Sequence, residues 1–232
     1  MALLKTFLLI LMFMIVNGCD KEITFDEYTK MGEDYASQGK TEKAIEAYKK
    51  AVKIRSRDAN AHYALGCLYF KELLEMNHQS ASNSKDVEEQ KEKRSNLTET
   101  MTKEYKQVLE IDPSNWNARY MIATELYNNQ HYQESIEEYK KVIKNNPKYG
   151  VAYSMLARSY LATGLNDLAI ENINKMQEQA PDKEFYYYRL GQAYYFMKED
   201  TKGFEMETKL KAMNSTYYNN LLDYRFSYPR SP

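Results

Sequence analysis

"EIDPSNWNARY" (Glu110–Tyr120) holds the first of three internal prolines, Pro113, and the next two follow at Pro147 and Pro181, in steps of 34 residues. The chain has 232 residues and five prolines, and the other two lie within its last four positions. Proline pushes the residue before it out of the α region, so a helix ends at or before that residue. Three such stops on one ruler, in a chain with 8 glycines, 28% charged residues and 43% hydrophobic ones, predict an all-helical protein built from a repeated unit.

The same phase runs outward from Pro113. With the first unit set at 25–58, a small residue recurs at Gly32, Gly66, Ala123, Ala157 and Gly191. A large apolar residue precedes it at Met31, Leu65, Ile122, Leu156 and Leu190, and Tyr35, Tyr69, Leu126, Tyr160 and Tyr194 follow three positions later. In the second half of the unit a compact residue stands at Ala44, Ser135, Ala169 and Gly203, with aromatics at Tyr48, Tyr105 and Tyr139. Ser56 and Ser215 take the proline position in the first and last units. A small residue lets two helices approach, and a large neighbour fills the gap beside it. No single unit buries its apolar face alone, so the units must stack. One step is longer. Tyr69 to Leu126 spans one period and 23 residues more, an insertion near 73–96. Within it His78–Ser84 (HQSASNS) reads as a polar loop. Asp86–Arg94 (DVEEQKEKR) reads as the start of a lengthened second helix.

Five copies of these positions in phase resemble the tetratricopeptide repeat (TPR), a pair of antiparallel helices in 34 residues. The resemblance covers 25–217. It implies an all-α solenoid of about five helix pairs, at 25–58, 59–115 with the insertion, 116–149, 150–183 and 184–217, followed by a C-terminal cap and tail at 218–232. In that family the first helix of each pair faces a concave groove. The matching positions here imply a partner-binding groove of Tyr63, Phe70, Tyr120, Thr124, Tyr127, Arg158, Tyr188, Gln192 and Tyr195. Aromatic side chains with a polar tip bury much area at low entropy cost and still hydrogen-bond. The expected partner is therefore a peptide or helix segment of another protein. Some members clamp a C-terminal carboxylate with basic and asparagine residues. Thr29 and Glu33 occupy the first clamp positions here, so that mode is not expected.

The N-terminus reads as an address. Lys5 precedes an unbroken apolar run, Phe7–Val16, of ten residues. Such a run is too short to cross a hydrocarbon core of about 30 Å, and the pattern at 1–18 is that of a secretory signal. Val16-Asn17-Gly18-Cys19 resembles the bacterial lipobox, which implies acylation of Cys19 and a tether at 19–24. Acyl anchoring contributes about 0.8 kcal/mol per buried CH₂. The expected location is the bacterial cell envelope, lipid-anchored in the periplasm or on the outer face of the cytoplasmic membrane, with the outer membrane also open. Asp20 after the cysteine matches the inner-membrane preference of enteric lipoproteins.

The expected function is a membrane-tethered, non-catalytic scaffold that assists assembly of a pilus, the outer membrane or the cell wall. An accessory subunit of an envelope enzyme or secretion complex, binding through its convex face and the insertion, is the alternative. With 32 basic and 33 acidic residues, net charge −1, nothing predicts nucleic acid as a partner. No metal, cofactor or small-molecule substrate is expected. Cys19 and Cys67 form no CxxC, and His62, His78 and His131 lack partners at ligand spacing. Phosphate loops, HExxH and GxSxG motifs are absent from the sequence. His62 sits at a packing position, and Cys67 is read as structural.

Overall fold

The structure describes residues 23–76, 84–179 and 181–227; in this computed structural model they form eleven α-helices and no strand. The signal pattern, Cys19 and His78 lie outside the described residues. Two compact units divide at Leu97 and Thr98. The first holds α1 (Phe25–Ser37), α2 (Thr41–Ile54), α3 (Ala59–Met76) and the N-terminal half of α4 (Ser84–Ile111). The second holds the rest of α4, then α5 (Trp116–Asn128), α6 (Tyr132–Asn145), α7 (Gly150–Ala162), α8 (Asn166–Gln179), α9 (Lys183–Phe196), α10 (Asp200–Ala212) and α11 (Tyr217–Ser227).

In the first unit Thr24 starts α1 with a capping box. Its hydroxyl accepts from the Glu27 amide at 3.2 Å, and its own amide donates to the Glu27 carboxylate at 2.8 Å. Two otherwise orphaned helix N–H groups are thereby satisfied. α1 packs on α2, and α2 on α3. Ala44, Ile45, Tyr48, Ala51, Leu65 and Tyr69 are buried there. His62 is buried as its position predicts, with Nε2 3.1 Å from the Ser56 carbonyl oxygen.

The insertion lengthens two helices. α3 runs 18 residues and α4 runs 28, against 13 or 14 for α1, α2 and α5–α10. The expected polar loop falls largely in 77–83, outside the described residues. The charged stretch that follows is helical and exposed from Val87 through most of its length, whereas Met101, Tyr105 and Val108 near the end of α4 are buried. Lys93 pairs with Glu72 of α3 at 3.3 Å.

The second unit alternates in the same way. α5 pairs with α6, α7 with α8, and α9 with α10; α6 packs on α7 and α8 on α9, and α11 covers both α9 and α10. The prolines stand where helices stop: α4, α6 and α8 end at Ile111, Asn145 and Gln179, two residues before Pro113, Pro147 and Pro181. Asn146, ahead of Pro147, leaves the α region at φ −138°, ψ 83°, in line with the pre-proline bias. Ala123, Ala157 and Ala169 are buried to the backbone. Ser135 and Ser159 share a buried hydrogen bond of 2.9 Å between α6 and α7.

Candidate functional site

The first helices of three consecutive pairs wall a cavity of about 440 Å³ in the second unit. On α7, Ser154, Ala157, Arg158 and Leu161 recur at three- and four-residue steps and so share one helix face. On α9 the same spacing aligns Tyr188, Arg189, Gln192, Ala193 and Phe196. Tyr127 of α5 closes one side, and Tyr224 of α11 closes another. No carboxylate stands among the lining residues.

The polar groups of this cavity are linked. Arg189 donates to Gln192 Oε1 at 2.8 Å, and Gln192 Nε2 donates to the Tyr188 hydroxyl at 2.9 Å. The Arg189 guanidinium lies 4.8 Å from the Phe185 ring centre and 5.3 Å from that of Tyr188. Tyr188 in turn stacks on Tyr217 of α11, centroids 5.0 Å apart and planes 20° off parallel. Arg158 lies exposed over the Tyr127 ring at 5.1 Å. Burial first, and then the like charge of Arg158, lowers the pKa of Arg189 below its ordinary value. Arginine stays a cation through such shifts. Two buried donors in these walls have no hydrogen-bond partner among the described residues: Arg189 Nε and the Ser154 hydroxyl, Ser154 being 1% exposed.

Four of the expected groove residues therefore converge: Tyr127, Arg158, Tyr188 and Gln192. Tyr120 and Thr124 sit one to two turns back on α5. Tyr120 packs against Tyr139 and edge-on to Tyr149, at 5.8 and 5.2 Å. Thr124 shares a 3.0 Å hydrogen bond with the buried Tyr139 hydroxyl. Tyr63, half-buried, and Phe70, exposed, lie on α3 of the first unit and are not in the lining. Tyr195 departs from the expected set. It is buried between α9 and α10, and its hydroxyl donates to Glu207 at 2.6 Å. Gly203 on α10 opens the space that the Tyr195 ring fills, so this side chain turns into the helix pair and away from the groove. Arg189, Phe196 and Tyr224 line the cavity without having been singled out. Phe196 stands at a groove position of its repeat, a signal present in the sequence. Arg189 and Tyr224 fall between groove positions or beyond the last repeat, and only packing brings them in.

Two tetratricopeptide-repeat models match the chain, over residues 32–72 and 120–184. No curated protein matches it in sequence. Solved structures do match in fold. MamA (residue 41 to the end) from Desulfovibrio magneticus RS-1 is 16% identical, over 82% of this chain and 94% of that one, with a TM-score of 0.66. PilW, described as a widely conserved type IV pilus biogenesis factor, is 15% identical, over 87% and 84%, with a TM-score of 0.62. YrrB, described as a TPR protein with an unusual peptide-binding site, is 16% identical, over 90% of each chain, with a TM-score of 0.60. TPR-repeat models that match in both compact units, together with this shared architecture, give the chain TPR-type repeats and an all-α, solenoid-type fold.

Proposed function

We propose that this protein is a non-catalytic scaffold that holds a segment of another protein against the first-helix faces of its second unit. The observation that carries this reading is the cavity itself. Tyr127, Tyr188, Phe196 and Tyr224 supply aromatic area, and the arginines and Gln192 supply directed hydrogen bonds. Interfaces that bind well concentrate aromatic and arginine anchors in such partly enclosed spots. Peptide binding by a TPR neighbour such as YrrB supports a protein partner for this chain too. We further propose that acylated Cys19 tethers the scaffold to a membrane of the bacterial envelope, where it assists a multi-protein assembly, as PilW does in pilus biogenesis.

The test is crosslinking of the native protein in its membrane, followed by mass spectrometry of what is captured. Tyr188→Ala and Arg158→Glu, each checked for retained helicity, are expected to lose the captured protein. Charge reversal at Glu88, Glu89, Lys91 and Lys93 on α4 is expected to retain it. The opposite pattern would move binding to the lengthened helix and away from the groove. A mass measurement of the mature N-terminus checks the tether: the expected species begins at Cys19 and carries acyl chains, and Cys19→Ser releases it to the soluble fraction.

A further inference from the structure

Two sets of arginines among the described residues contrast in what they hold. Arg55, Arg119 and Arg225 each hold a carboxylate, on Asp26 at 3.4 Å, Glu138 at 2.7 Å and Glu207 at 3.0 Å. Arg158 and Arg189 hold none among the described residues, although Arg189 is partly buried and the two are near enough for one charge to lower the pKa of the other. Removing an arginine from water without an anion is costly unless something compensates, and two cations side by side raise that cost. Ring faces and one amide oxygen offset part of it. The same walls carry the unpartnered Arg189 Nε and Ser154 hydroxyl. Two guanidiniums on neighbouring helices, in a lining that holds no carboxylate, suit a planar anion with two acceptor oxygens.

We infer that the cavity between α5, α7, α9 and α11 takes the carboxylate of an aspartate or glutamate side chain on the partner segment, flanked by apolar residues. This rests on the groove reading above and states the chemistry it selects. Carboxylate geometry matches guanidinium forks, and charge-assisted hydrogen bonds are about twice as strong as neutral ones. Leu161, Ile173, Ala193 and Phe196 around the arginines provide the apolar surface for neighbouring side chains. A side chain is favoured over a chain end. The backbone of a terminal residue needs amide partners beside its carboxylate, and the one side-chain amide in the lining, Gln192, is already engaged at both its oxygen and its nitrogen.

The experiment uses the full chain in detergent micelles, with arginine Nε–Hε resonances of Arg158 and Arg189 followed by NMR. Three capped pentapeptides are titrated: Ala-Phe-Glu-Leu-Ala amide, Ala-Phe-Gln-Leu-Ala amide, and Ala-Phe-Gln-Leu-Ala with a free C-terminus. The glutamate peptide is expected to shift both resonances and to bind about tenfold or more tightly than either of the others, the loss expected for one charge-assisted hydrogen bond. Arg158→Gln and Arg189→Gln are each expected to remove that preference, so that the glutamate and glutamine peptides bind within about twofold of each other. If the free C-terminus binds best, the side-chain assignment is wrong. Equal binding of glutamate and glutamine peptides, or no shift at either arginine, overturns the carboxylate chemistry altogether. The groove reading is judged separately, since capture of the native partner that is abolished by Tyr188→Ala survives any of these failures.

Discussion

At Gly32 an added Cβ would lie 2.5 Å from a ring carbon of Tyr48, closer than real Cβ contacts come. That distance explains why the small position of the repeat is small: α2 presses its tyrosine onto the backbone of α1. Gly32→Ala is expected to destabilise the protein by about 1–2 kcal/mol in urea titrations. Overpacking costs about 1–3 kcal/mol, and the better helix propensity of alanine returns up to about 1. Tyr139 shows the same economy of space with a polar tip. It is fully buried, burial pushes its hydroxyl well above the ordinary tyrosine range, and Thr124 supplies the hydrogen bond. Tyr139→Phe removes only that bond, so a loss of about 1 kcal/mol is expected, read as a lower denaturation midpoint at unchanged slope. Both residues were legible in the sequence as the small and aromatic positions of a 34-residue pattern. Their partners were not, because a repeat phase states which residues are equivalent and is silent on which neighbour each one meets.

The elements themselves are set by turns and ties. Gly39, Gln130 and Gly164 occupy one position of the repeat, between the two helices of a pair, and all have positive φ, +73°, 64° and +77°. Left-handed backbone strains any residue with a Cβ by about 1–2 kcal/mol, and glycine adopts it freely at the expense of unfolded-state entropy. Gln130→Gly at this exposed turn is expected to stabilise the protein by about 0.5 kcal/mol, seen as a small rise in Tm. Across the next pair, Glu138 of α6 accepts from Arg119 at 2.7 Å and Lys141 at 2.6 Å. Burial works against its ionisation, but the hydrogen bonds and charges of Lys141 and Arg119 win and hold its pKa below the ordinary 4.5. A depressed carboxylate contributes stability above its unfolded pKa and loses it as pH falls through the folded value. Glu138→Gln should therefore cost about 1–2 kcal/mol at neutral pH, and the gap to the parent should close as the pH drops below about 4. Here the sequence pattern marked the helices and their proline stops. It did not mark the turn conformation at Gln130, where no glycine signals it, nor the α5–α6 ion pair, whose members lie 19 residues apart and off the repeat consensus.

For the molecule as a whole, α11 lies over the last helix pair among the described residues. Leu221 is fully buried, and its Cδ2 lies 2.5 Å from where a Cβ on Gly191 would be. Arg225 reaches back to the buried Glu207, which also accepts from Tyr195. Leu221→Ala is expected to cost about 2–5 kcal/mol locally, the range for emptying a buried leucine site. Because a repeat array is held by nearest-neighbour contacts, hydrogen exchange should quicken across α9–α11 and stay close to the parent rate in α5 and α6.

The amino-acid sequence by itself determined the helical class, the 34-residue period, the insertion in the second repeat and the residue types that line a first-helix face. Those are properties of spacing along the chain, and spacing survives without coordinates. Only the tertiary structure decided which of those residues share a site. Tyr195 turned inward because Gly203 left room for its ring, Arg189 entered the lining from between two groove positions, and α11 contributed Tyr224 from beyond the last repeat. A helix face is about 100° wide, and whether a residue at its edge meets solvent, a neighbour or a cavity depends on how closely the next helix packs. That distance is set by side-chain volumes on two elements at once, which no single periodicity encodes.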